Sequence, residues 1–148
     1  MSPAVADLPL VRVYTDGGAR GNPGPAAIGV VVCDSTDRVL REHKEAIGEG
    51  TNNQAEYRGL IKGLELAADH TREAVACVLD SELVVRQMTG RYRLRDPRMA
   101  ALHDEVRDRA RRFAKVTFEH RPRLSGLLAR ADALVNEAID EAETRSAP

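Results

Sequence analysis

The sequence predicts an α/β fold, a mixed sheet with helices packed against it. Two observations predict it. Three strand-like runs separated by turn-forming residues open the chain, the pattern of an antiparallel meander. Helical and strand-like patterns then alternate to the C-terminus, which extends the sheet through helical connections. The full order reads β-β-β-α-β-α-α-β-α.

The first strand is Leu10–Asp16, in LVRVYTD, where apolar and polar positions alternate. Residues 17–25, GGARGNPGP, hold four glycines and two prolines and read as a turn or loop. Ala26–Cys33 is a short apolar strand, Asp34–Asp37 a turn, and Arg38–Ala46 a more polar strand suited to a sheet edge. Thr51 opens the first helix, with Gln54 three residues later at capping-box spacing. Leu60, Ile61, Leu64, Ala67 and Ala68 form its apolar stripe. Gly59 and Gly63 weaken a helix interior, so their place one turn apart implies close packing against a neighbour.

Ala74–Leu79 is the fourth strand, and Ser81–Met88 a short helix closed by Thr89-Gly90. Asp96 caps the next helix and Pro97 occupies its first turn. That helix runs to about Phe113, with Leu102, Val106, Ala110 and Phe113 on its buried side. Lys115–Glu119 is the fifth strand, and a last helix covers about Ala129–Glu143. The domain is expected over residues 10–143, between an N-terminal tail, 1–9, and a C-terminal tail or linker stub, 144–148.

A chain of 148 residues, 43% hydrophobic and 30% charged, suits one globular domain with a real core. No apolar run has the length of a membrane span, and the N-terminus lacks the pattern of a secretory signal. Cys33 and Cys77 lie in separate apolar strands without metal-ligand spacing, as buried reduced thiols do, which favours the cytoplasm. The net charge of −1 hides a segregation. Residues 86–130 carry 13 Lys and Arg against 5 Asp and Glu, whereas the flanking segments are acidic. Such a block grips a polyanion, or forms a solvated Arg-rich helix face.

Four acids lie where a carboxylate is hard to hold. Asp16 and Asp80 end apolar strands; Glu56 and Asp132 lie in the first turns of amphipathic helices. Each has a bland reading taken alone: Asp16 as a turn residue, Asp80 as an N-cap, Glu56 and Asp132 as complements to a helix dipole. In open α/β sheets, sites gather near strand ends, so the four can meet. Converging carboxylates repel unless a hard divalent cation joins them. The glycine loop is not a nucleotide P-loop, because GGARGNPG lacks the GxxxxGK[ST] form. His43, His70 and His103 show no ligand-like pairing and read as surface residues.

Four segments carry a resemblance. TDGGARGNPGPAAIG, TNNQAEYRGLIKGL, LDSELVVRQMTGRY and ARADALVNEA resemble, in order, the four motifs of type 1 ribonuclease H, over residues 10 to 142. The chain looks most like the compact bacterial and archaeal branch, which lacks the basic helical protrusion of the longer enzymes. The resemblance implies a ribonuclease H-like fold: a five-stranded mixed sheet, an antiparallel meander plus two parallel strands, flanked by helices. It implies an endonuclease that hydrolyses the RNA strand of an RNA–DNA hybrid and leaves 5′-phosphate and 3′-hydroxyl ends. Asp16, Glu56, Asp80 and Asp132 would be the catalytic, metal-binding acids. They would hold two Mg²⁺, replaceable by Mn²⁺, roughly 4 Å apart.

The same resemblance assigns substrate contacts. Gly17, Gly18, Asn22, Asn52 and Asn53 fall where the family touches the minor groove and sugars, and glycine there would let a strand approach the backbone. Thr51 matches a DNA-phosphate position, besides being a helix cap. Arg91, Arg93 and Arg95 fall where the hybrid backbone passes, beside Tyr92. Before Asp132 the chain reads EHRPRLSGLLARAD, where compact relatives have a shorter, polar segment with Asn. His120 belongs to the end of the fifth strand and does not take the role of the loop His of longer members. Arg121, Arg123 and Arg130 are alternative sources of positive charge near the scissile phosphate, and Arg123 joins the substrate contacts. The expected protein is a monomer, or one domain of a longer multidomain chain. The competing readings are a non-catalytic hybrid- or RNA-binding module, and a related nuclease acting on junctions or double-stranded RNA.

Overall fold

A computed structural model describes residues 8–90, 94–123 and 125–146. Strands β1 (Leu10–Ala19), β2 (Gly24–Asp34) and β3 (Val39–Gly50) form the meander. Helix α1 (Asn52–Ala67), strand β4 (Ala74–Leu79), helices α2 (Glu82–Met88) and α3 (Pro97–Ala110), strand β5 (Lys115–His120) and helix α4 (Leu127–Ser146) follow. The sheet order is β3-β2-β1-β4-β5. β1 pairs antiparallel with β2, and β2 with β3; β1 and β4, and β4 and β5, run parallel. The predicted element order is the observed one.

Side-chain alternation along the central strands gives the sheet two apolar faces. Val11, Val13, Val30, Val32, Val75 and Cys77 join Tyr57, Leu60 and Leu64 of α1 in the larger core. On the opposite face Tyr14, Val31, Cys33 and Val78 meet Leu128, Ala131 and Leu134 of α4. Cys33 and Cys77 are buried and not joined in a disulfide. Among the described residues no helix is long and apolar enough to cross a membrane.

The boundaries differ from expectation in several places, three of which matter for the site. The Gly17-Gly18 pair continues β1 instead of opening a loop, in register with Ile28 and Ala27 of β2. Helix α4 begins at Leu127, not near Ala129, because Leu128 belongs to the core, and it continues to Ser146. Helix α3 ends at Ala110, although Phe113 beyond it is still buried. Glu56 and Asp132, expected in first turns, both lie in the second turns of their helices, where complementing a dipole does not explain them.

Candidate active site

Glycine brings the acids together. A Cβ at Gly17 would lie 2.1 Å from the Ala55 carbonyl oxygen, and one at Gly59 would lie 2.9 Å from that of Asp16. No other residue lets α1 press so closely on the end of β1, and this contact sets Glu56 beside Asp16. Asp80 follows β4, the parallel neighbour of β1. On the other face a Cβ at Gly29, the register partner of Asp16, would lie 2.2 Å from the Ala131 carbonyl oxygen, so α4 rests on β2 next to Asp132.

One carboxylate oxygen from each of Asp16, Glu56 and Asp80 lies within 4.8 Å of the others. Asp132 is not part of that trio, but all four acids line one cavity of about 430 Å³. Asp16 and Glu56 are buried, 5% and 9% exposed. Burial, then the charge of Asp80, then the nearby carboxyl of Asp132 push the Asp16 carboxyl up to about 8. Burial and the charges of Asp16 and Asp80 hold Glu56 well above the usual range for its type. Asp80 is raised by burial, against the nearby guanidinium of Arg123.

A cluster that resists ionisation lacks its counter-charge. Glu56 Oε2 has no hydrogen-bond partner although it is fully buried. An orphaned carboxylate oxygen is costly, and an all-oxygen donor set suits a hard divalent cation. The residues present therefore fit such an ion.

Comparison with known proteins places the fold in a family. A family described as reverse transcriptase-like matches residues 14–138. The chain is 43% identical over 138 residues to the bifunctional protein Rv2228c of Mycobacterium tuberculosis, a match covering 93% of this chain and 37% of that protein. The solved N-terminal ribonuclease H domain of Rv2228c superposes with a TM-score of 0.87 at 42% identity, covering 93% of this chain and 99% of that one. Ribonuclease H1 of the halophilic archaeon Halobacterium salinarum superposes with a TM-score of 0.85 at 41% identity, over 89% of this chain and 98% of that one. The chain belongs to the type 1 ribonuclease H family. A further member, LC11 ribonuclease H1, solved in complex with an RNA/DNA hybrid, superposes with a TM-score of 0.83 at 44% identity, over 90% of this chain and 99% of that one.

Within this ribonuclease H domain the other sequence-predicted residues divide. Gly18, Asn52 and Arg123 line the cavity with the acids. Gly17 lines it too, and its missing side chain also accommodates α1. The Ala19 N–H donates to Asn52 Oδ1 at 2.9 Å, and the Asn52 N–H donates to Asn22 Oδ1 at 3.0 Å. These bonds stitch the β1–β2 turn to the start of α1. Thr51 Oγ1 accepts from the Gln54 N–H at 3.1 Å, and Gln54 Oε1 accepts from the Thr51 N–H at 2.9 Å, so the capping box forms. Asn53 is exposed in the first turn of α1, and Arg95 is exposed just before the α3 cap Asp96. Arg91, Tyr92 and Arg93 lie outside the described residues.

The three alternative arginines also separate. Arg121 pairs with Glu119, and Arg130 pairs with Glu42 and Glu137, whereas Arg123 lines the cavity beside Asp80. Sequence reasoning missed Arg20 and Asn136, which line the same cavity. Asn136 had a legible signal, because it follows Asp132 by four residues on one helix. Arg20 had none, since its partners Asp140 and Glu143 are distant in sequence.

Proposed function

We propose that the protein is an endonuclease that hydrolyses the RNA strand of RNA–DNA hybrids, with Mg²⁺ as cofactor. The observation that supports this most is the convergence of Asp16, Glu56 and Asp80 within 4.8 Å, the first two buried and Asp80 half-buried. Asp16, Glu56, Asp80 and Asp132 would hold two Mg²⁺, with Mn²⁺ able to substitute. Bound cations supply the charge that activates water and stabilises the departing 3′ oxygen.

The chain's own groups would do the rest. Arg123 adds positive charge next to Asp80, where it would draw the phosphate backbone toward the acids. Gly18 and Asn52 line the cavity, and Asn22 accepts from the Asn52 N–H beside it. Amide groups both donate and accept, so they suit the 2′-hydroxyl that marks the RNA strand. Thr51, Asn53, Arg91, Arg93 and Arg95 are proposed as further contacts to the hybrid.

The hybrid complex of LC11 ribonuclease H1 supports the substrate. The chain spans 37% of the length of Rv2228c, which supports a place within a longer multidomain protein. Two buried free thiols support the cytoplasm, and a monomeric state is proposed with it. The test is an end-labelled hybrid incubated with protein and Mg²⁺, beside single-stranded RNA, double-stranded RNA, a junction and duplex DNA. The proposal requires cleavage of the hybrid RNA alone, with 5′-phosphate ends, and none by Asp16→Asn. Hybrid binding without Mg²⁺-dependent cleavage, or preference for a junction or double-stranded RNA, would refute it.

A further inference from the structure

Arg130, one candidate for contact with the scissile phosphate, is engaged elsewhere. Its Nε and Nη2 donate to the two carboxylate oxygens of Glu42 on β3, at 2.8 and 2.9 Å, and its Nη1 donates to Glu137 of α4 at 2.9 Å. Lys44, two residues along the same face of β3, bridges Glu137 and Glu141 at 3.3 and 2.5 Å. A second grip comes from the β1–β2 turn. Arg20 pairs with Asp140 at 2.7 Å and Glu143 at 3.3 Å, and donates to Asn136 Oδ1 at 3.4 Å.

These contacts lie on two flanks of one helix. At about 100° per residue, Asn136, Asp140 and Glu143 share the flank of Asp132, whereas Arg130, Glu137 and Glu141 occupy the other. The apolar stripe between them meets the sheet partly through small residues, Ala131 over Gly29 and Ala138 near Ala27. Small residues bring the helix close but resist rolling about its axis weakly. The flanking ion pairs are placed to stop that roll, and roll is the motion that swings Asp132 away from Asp16.

We propose that Arg130 is a positioning residue for the carboxylate cluster: its bidentate bridge from β3 to α4, continued by Lys44, sets the roll of α4 and so the reach of Asp132 toward Asp16 and Asp80. This rests on the metal-binding reading above. Isolated exposed ion pairs hold little geometry, but a bidentate fork shared across a network does. The bridge lies at the surface, with Arg130 and Glu42 side chains 40% and 36% exposed, so salt weakens it.

The test measures Mn²⁺ uptake by the metal-free protein, from the electron paramagnetic resonance signal of free Mn²⁺, in wild type, Arg130→Met and Glu42→Met. Positioning requires both substitutions to weaken Mn²⁺ affinity, by about three- to tenfold. A long-range charge effect would instead give opposite signs, since Arg130→Met removes a positive charge and Glu42→Met a negative one. In an Asp132→Asn background Arg130→Met should cause no further loss. With the hybrid, the Mg²⁺ concentration giving half-maximal rate should rise while the KM for hybrid stays unchanged. Equal Mn²⁺ affinity in all three proteins, opposite signs, or a loss that persists without Asp132 would overturn the proposal alone. A wild type that takes up no Mn²⁺ would overturn both it and the metal reading. Glu42 lies on an edge strand away from α4's core stripe, so its variant keeps the test open if Arg130→Met folds poorly.

Discussion

Gly29 and Ala131 meet backbone against side-chain-free backbone: a Cβ on Gly29 would lie 2.2 Å from the Ala131 carbonyl oxygen and 2.9 Å from the Leu134 Cβ. Gly29 is also the register partner of Asp16. One glycine therefore sets the height of α4 over the strand pair that carries the central acid, one residue from Asp132. Gly29→Ala cannot be relieved by a rotamer change, because backbone is what it strikes. We expect it to destabilise the protein by about 1–3 kcal/mol, the range of core overpacking. Cleavage should fall further than the folded fraction does, because α4 moves Asp132 as it lifts. Urea denaturation with cleavage assays on the folded protein checks both; full activity in a stably folded variant would refute the link.

Asp16 gives a prediction with a definite sign. Its carboxyl is raised to about 8 from an ordinary 3.8, chiefly by burial. Between those values the folded metal-free protein holds a proton that the unfolded chain has released, so this group lowers stability as pH rises through that interval. Asp16→Asn removes the titration. In chelator the variant should melt above wild type at pH 8, with the gap shrinking toward pH 5. Divalent cation should raise the wild-type melting temperature at pH 8 more than that of the variant. A gap independent of pH would mean that Asp16 is not desolvated.

Most of the fold was legible because its signals are local. The Thr51–Gln54 capping box, the Asp96-Pro97 start and the alternating strands each declare themselves within a few residues, and each forms as read. The acids were legible for a different reason: a carboxylate at the end of an apolar strand contradicts its surroundings, and contradiction marks function. What stayed hidden depends on contacts between distant segments. Gly17 looks like loop until the Ala55 carbonyl is seen against it, and Arg130 looks like a substrate contact until Glu42, 88 residues away, takes it.

The two adjacent glycines of β1 separate packing from recognition. A Cβ at Gly17 would lie 2.6 Å from the Glu56 amide nitrogen as well as against the Ala55 carbonyl, whereas one at Gly18 makes only ordinary contact with Val135 at 3.6 Å. Gly17→Ala should therefore lower the melting temperature and abolish cleavage together. Gly18→Ala should melt within a few degrees of wild type. If the hybrid approaches the backbone there, its KM should rise while kcat changes less. Thermal melts and steady-state kinetics on both variants decide the matter, and a Gly17→Ala protein as stable as wild type would show that α1 yields easily.

Arg123 offers a way to read nucleic-acid contact without chemistry. It lines the cavity with Asp80 and pulls that carboxyl down against the effect of burial. Replacing it by Gln should weaken hybrid binding in Ca²⁺ and flatten the plot of log affinity against log salt by about one unit, the signature of one lost phosphate contact. Removing a positive charge beside Asp80 should at the same time tighten Mn²⁺ binding to the free protein, because the cation no longer competes with a guanidinium. The two effects have opposite signs, so general loosening of the site cannot produce both. Fluorescence anisotropy across a salt series, with Mn²⁺ titration of the same preparation, measures them. An unchanged salt slope would remove Arg123 from the path of the phosphate backbone.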